Sequence, residues 1–126
     1  MLLVMLRSKI HRAKVTEINL DYNGSITLDE ALMSAADIIP GERVQVVNLN
    51  NGARFETYVI SGPSGSGTVS LNGGAARLAQ PGDKVIVMAF ALVPHGEAHG
   101  FQPRIVLVDD ENKVVAVRQG EIHGQA

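Results

Sequence analysis

Four short stretches of this 126-residue chain carry side chains whose type and spacing suit chemistry. Gly62-Pro63-Ser64-Gly65-Ser66-Gly67-Thr68 approaches a phosphate-binding loop, in which glycine backbone and a lysine cradle phosphate oxygens. It has no lysine between Gly67 and Thr68, and a strand-like run follows where a helix N-terminus is required, so a flexible hairpin loop is predicted. His95 and His99 stand four apart with Glu97 between them, the residue types of a metal site. Gly96 and Gly100 flank them in a predicted loop, no helix aligns the imidazoles, and no metal is predicted. Asn23-Gly24-Ser25 reads as a type I′ hairpin turn between Leu20-Asp21-Tyr22 and Ile26-Thr27-Leu28. Arg54, Glu56 and Tyr58 recur at period two, so Arg54 and Tyr58 can reach one pocket while Thr57 points the other way.

Composition removes other chemistries. The chain has no cysteine, which excludes disulfides, thiolate nucleophiles, iron–sulfur clusters and Cys-rich zinc sites together. Eleven basic against thirteen acidic residues give a net charge of −2, without the electrostatic footprint of a nucleic-acid binder or a polybasic membrane arm. Aromatic residues are 4%, too few for base-stacking platforms. Met1 to Leu6 is apolar for six residues only, with Arg7, Lys9, Arg12 and Lys14 after it, the reverse of a secretory signal. No stretch approaches the roughly 20 apolar residues of a membrane span, and a cytoplasmic location is expected.

The elements that must position these residues are short. Hydrophobic residues at 45% and charged residues at 19% supply one core, and the length suits a single domain, here 1–119, with 120–126 a frayed tail. Asn, Gly and Pro punctuate the chain at short intervals, the mark of a mainly β barrel or sandwich. Val15 to Tyr22 alternates as a half-buried strand, with Ile18, Leu20 and Tyr22 on one face. Further strands are predicted at Val44–Leu49, Phe55–Ile60, Thr68–Leu71, Lys84–Val93, Ile105–Val108 and Val114–Val117. Lys84–Val93 is nearly continuous in apolar residues and belongs at the centre. Asp29 to Ala36 is a short helix that either Thr27 or Asp29 could cap.

Four motifs stand in order along the chain: Lys9-Ile10-His11-Arg12-Ala13-Lys14-Val15-Thr16; Tyr22-Asn23-Gly24-Ser25; Asn51-Gly52-Ala53-Arg54-Phe55-Glu56-Thr57-Tyr58; and Leu71-Asn72-Gly73-Gly74-Ala75-Ala76. Together these resemble the small pyruvoyl-dependent aspartate 1-decarboxylases, in register from about Met1 to Pro103. The resemblance implies a six-stranded double-psi β-barrel with short helices, assembled as a homotetramer with active sites between subunits. It also implies decarboxylation of L-aspartate to β-alanine, for pantothenate and coenzyme A synthesis.

Removing an α-carboxylate leaves a carbanion that needs an electron sink conjugated to the substrate nitrogen. Nothing in the chain resembles a pyridoxal phosphate site. The resemblance implies instead that the Gly24–Ser25 bond breaks and that Ser25 becomes a pyruvoyl group, which would take the substrate amine as a Schiff base. Gly24 lacks a Cβ and suits a strained turn there. By the same resemblance Thr57 stabilises the oxyanion of cleavage, Arg54 clamps a substrate carboxylate, and Tyr58 returns the proton. Lys9 and His11, on one face of the first strand, add positive potential, and Asn72, Gly73, Gly74, Ala75 and Tyr22 line the site. Val47 stands where some members carry Trp, and the segment after Pro103 matches poorly. Cleavage could be spontaneous or use a maturation factor. The contrasting expectation is a non-catalytic β-barrel that binds a ligand or partner, with Asn23-Gly24 a plain hairpin.

Overall fold

The computed structural model describes residues 1–124; Gln125 and Ala126, the end of the predicted tail, lie outside the described residues. Among the described residues nine strands form one mixed sheet: β1 (Leu2–Lys14), β2 (Glu17–Asn19), β3 (Ser25–Asp29), β4 (Arg43–Asn48), β5 (Arg54–Gly62), β6 (Val69–Asn72), β7 (Lys84–Pro94), β8 (Arg104–Val108) and β9 (Val114–Gln119). Their order is β2-β6-β3-β5-β4-β7-β1-β8-β9. The mainly β expectation holds, whereas the six-stranded closed barrel does not: the sheet has nine strands and is open, ending at β2 and β9.

Expected strands appear where apolar residues alternate over a core. On β7, which lies inside the sheet between β4 and β1, Val85, Val87 and Ala89 are buried while Phe90 and Leu92 on the other face are exposed. The predicted strand at Val15–Tyr22 shrinks to the three residues of β2, and Ile18, Leu20 and Tyr22 are exposed rather than half-buried. Apolar side chains there find no opposing layer, because β2 sits at the sheet edge beside β6.

Two predicted hairpins are not hairpins. β2 and β3 flank β6, and β5 and β6 flank β3, so the connections 20–24 and 63–68 each step over one intervening strand. The Gly62–Thr68 loop is ordered from below: Asp29 accepts hydrogen bonds from the backbone of Gly65 (2.9 Å) and Gly67 (2.8 Å). Asp29 is also the N-cap of helix α1 (Glu30–Ala36), accepting from Ala31 N–H at 2.8 Å, which settles the capping alternative against Thr27.

Helix α1 buries Leu32, Met33 and Ala36 against the sheet. Its last carbonyls are satisfied by Ser8 Oγ, which donates to Ala36, and by Arg7, which donates to Asp37 and is paired with Glu42. Buried Ile10, Ile26, Leu28, Val44, Val46, Val59, Leu71 and Val87 complete one core cluster. His95–Ala98 forms one exposed helical turn, α2, where a loop was expected. The tail is tied down at its start: Gly120 N–H donates to the Pro103 carbonyl at 2.7 Å, and the Glu121 carboxylate meets Lys9 Nζ at 2.6 Å. No helix among the described residues is long and apolar enough to cross a membrane.

Candidate active site

The β3/β6 ladder brings four polar side chains together. Its antiparallel register sets Ser25 opposite Asn72 and Thr27 opposite Ser70, while Ile26, Leu28, Val69 and Leu71 between them enter the core. Ser25 is 0% exposed and Asn72 2% exposed, so their polar atoms must pair with one another. Asn72 Nδ2 donates to Ser25 Oγ at 2.9 Å and to Thr27 Oγ1 at 3.0 Å, and Ser70 Oγ donates to Asn72 Oδ1 at 3.1 Å. Ser25 Oγ donates in turn to the Asn23 carbonyl at 3.1 Å. The Ser25 hydroxyl thus has both a donor and an acceptor, and its rotor is fixed.

Residue 24 is exposed where residue 25 is buried, so the Gly24–Ser25 bond crosses from surface to interior. Gly24 does not have the left-handed backbone of a strained turn, and a Cβ there would meet nothing within 4 Å. Glycine is required one strand away instead. Gly73 has φ +64°, and a Cβ on it would lie 2.7 Å from Gly24 Cα and 2.9 Å from the Tyr22 carbonyl oxygen. Gly73 opens a 3₁₀ segment, Gly73–Leu78, in which Gly74 is open and Ala75 packs on the core.

The parallel register of β3 on β5 begins at Ile26 opposite Val59, which sets the start of β3 alongside Thr57 and Tyr58. Along β5, Arg54, Glu56 and Tyr58 are exposed on one face while Phe55, Thr57 and Val59 turn inward, the alternation expected from sequence. The hydroxyl of Ser25 bonds Asn23 and Asn72, not Thr57. Arg54 stands opposite Val47 on β4 and donates from Nη1 to Gln45 Oε1 at 2.8 Å, leaving the guanidinium at the surface.

Lys9 and His11 share a face of β1 as expected, but β5, β4 and β7 separate that strand from β3 in the sheet. They line a small cavity with Ile105, Leu107, Arg118 and Glu121. Burial lowers the His11 pKa below its ordinary 6.5, and the charges of Lys9 and Arg12 act in the same sense against the opposing Glu121. Among the described residues, the buried Nδ1 atom of His11 has no hydrogen-bond partner. The predicted residues therefore fall into groups within one chain: Ser25 with Asn72 and Gly73, Arg54 and Tyr58 on the β5 face, and Lys9 with His11.

The aspartate decarboxylase family model matches residues 1–115. The chain belongs to that family. The aspartate 1-decarboxylase of Pelotomaculum thermopropionicum is 66% identical over 126 residues, 100% of this chain and 96% of the relative. That of Carboxydothermus hydrogenoformans is 61% identical over 99% of this chain and 98% of the relative, and that of Bacillus cereus is 56% identical over 95% and 94%. Family similarity thus extends past Pro103, where the sequence was expected to match poorly, and takes in β8 and the start of β9.

Thr27 and Ser70 join the Ser25–Asn72 cluster, although the sequence did not single them out as candidates for it. Their signal was present as period two, Ser25-x-Thr27 and Ser70-x-Asn72, but only the strand pairing makes the two patterns one cluster.

Proposed function

We propose that this chain is an aspartate 1-decarboxylase that makes its own electrophile from Ser25, releasing CO₂ from L-aspartate to give β-alanine for pantothenate and coenzyme A synthesis in the cytoplasm. The observation that carries the reading is the wholly buried Ser25 hydroxyl, hydrogen-bonded to Asn72 beside an exposed Gly24, in a chain of this family. The site fits a group formed in place: residue 25 is enclosed, polar partners surround it, and Gly73 leaves room for the backbone at 24. Such a pyruvoyl group supplies a ketone conjugated to an amide, which accepts the electron pair left when the carboxylate departs.

The remaining work falls to side chains. Arg54 presents a planar fork of N–H donors that binds one substrate carboxylate in bidentate fashion. Tyr58 on the same face returns a proton to the substrate carbon as a general acid. Thr57 donates to the oxyanion of chain cleavage. Asn72, Gly74, Ala75 and Tyr22 border the substrate, Lys9 adds positive potential for a dianion, and His11 stands beside it as a neutral imidazole. A homotetramer with sites between subunits would let Lys9 and His11 of one copy serve Ser25 of another. A maturation factor that speeds cleavage is compatible with this scheme.

The mass of the purified protein tests the reading. Scission into residues 1–24 and 25–126, with the larger piece lacking a free amine, supports it; an intact mass after prolonged warming sinks it. Ser25→Ala should give one uncut chain that makes no β-alanine.

A further inference from the structure

We propose that Ser70 is a positioning residue for scission at Gly24–Ser25, acting through the Asn72 side chain. The inference rests on the reading that this bond is cleaved. The Asn72 amide has two ends of nearly equal shape and opposite hydrogen-bonding sense, so which end faces Ser25 depends on its other partners. Ser70 Oγ donates to Oδ1 at 3.1 Å, and this directs both Nδ2 hydrogens toward Ser25 Oγ and Thr27 Oγ1. Ser70 is 4% exposed and Asn72 2% exposed, so water does not substitute for the Ser70 hydroxyl.

The arrangement fixes the nucleophile. Because Ser25 Oγ accepts from Asn72, its own hydrogen is committed to the Asn23 carbonyl, one residue before the carbonyl it attacks. One lone pair remains for the Gly24 carbonyl carbon. In the first step the Oγ–C bond forms, the C–N bond between Gly24 and Ser25 breaks, and the hydroxyl proton ends on the Ser25 nitrogen, leaving an ester. Loss of the Ser25 Cα proton with cleavage of its Cβ–Oγ bond then leaves Gly24 as a carboxylate that keeps Oγ. Water replaces the nitrogen of residue 25, which departs as ammonia, and no external oxidant or reductant takes part.

Without the Ser70 hydroxyl, Asn72 Oδ1 is buried with no partner and turns to accept a proton from Ser25 or Thr27. Ser25 then loses its donor from Asn72 and its hydrogen leaves Asn23. Ester formation, not folding, is the step that suffers.

The test follows uncleaved precursor by intact mass at one temperature, beside thermal melting. Ser70→Ala should slow scission by about tenfold or more, the scale of a misplaced reacting group, with an unchanged melting temperature. Ser70→Thr, which keeps the hydroxyl, should cleave near the parental rate. Hydroxylamine cuts an ester at Gly24, so it should leave Ser70→Ala slow. A Ser70→Ala chain that cleaves at the parental rate, or that hydroxylamine restores, overturns the proposal while scission at Ser25 stands. Slowing that tracks a lowered melting temperature in both variants assigns Ser70 to packing alone and also overturns it. A parental chain that never cleaves overturns the underlying reading instead.

Discussion

A Cβ placed on Gly73 would lie 2.7 Å from both the Cα and the N of Gly24, closer than non-bonded atoms approach. Two loops at the same end of the antiparallel β3/β6 ladder, one entering β3 and one leaving β6, thus touch backbone to backbone beside Ser25. Gly73→Ala adds a methyl where only main chain can yield, at φ +64°, a region that costs an L-residue about 1–2 kcal/mol. It should displace residues 22–24, lower the melting temperature and slow scission. Gly74→Ala, at a site with open space, should do neither, and equal behaviour of the two variants by mass and melting would contradict this account.

Asp29 is the second sensitive point. Its carboxylate is buried and accepts from Gly67, Ala31 and Gly65. Burial alone would raise its pKa, but those three N–H groups and nearby Lys113 together hold it below the ordinary 3.8. A depressed carboxylate stabilises the fold above its unfolded pKa, and that contribution disappears as pH falls through the lower folded value. Asp29→Asn should lower unfolding free energy at pH 7 by about 1–3 kcal/mol, the cost of a mispaired buried group. Urea titrations below pH 4 should show the parent losing part of its advantage; a constant difference would refute the assignment.

The His11 imidazole should be neutral at pH 7. Its folded pKa lies below 6.5, chiefly through burial. Protons therefore favour the unfolded chain, and this group's contribution to stability, present above 6.5, declines as pH falls through the folded value. NMR titration should give a midpoint under 6.5 that moves lower in Glu121→Gln, because Glu121 is the charge that opposes the shift. A midpoint above 6.5 would reverse the electrostatic picture of the Lys9 cavity.

Arg54 separates maturation from turnover. Its guanidinium is at the surface and donates to Gln45 on the neighbouring strand β4. Arg54→Ala should cleave at the parental rate yet lose about 10–100-fold in kcat/KM, the scale of a lost charge-assisted pair. Unaltered aspartate binding in that variant, by calorimetry, would remove Arg54 from the substrate site.

Periodicity carried the local readings. Alternation along Arg54–Tyr58 and along Lys9–His11 was visible as residue type and reappears as side-chain exposure, because strand geometry alone dictates it. The Asp29 cap was within reach for the same local reason, though Thr27 competed with it. The two Gly-rich connections were misread, since a hairpin and a step over an intervening strand use the same turn residues. At 20–24 the outcome depends on whether β6, far downstream, inserts between β2 and β3; at 63–68 it depends on β3, far upstream, lying between β5 and β6.

By itself the sequence determined the alternation along Lys9–His11 and Arg54–Tyr58, the short helix, the absence of any thiol and the four motifs that mark the family, all properties of composition and near neighbours. Tertiary structure decided what Ser25 touches. Asn72 is 47 residues away along the chain and 2.9 Å away in space, and only the β3/β6 register converts that separation into a hydrogen bond. Strand pairing is set by the best joint burial of all nine strands, a global minimum that no window of sequence contains.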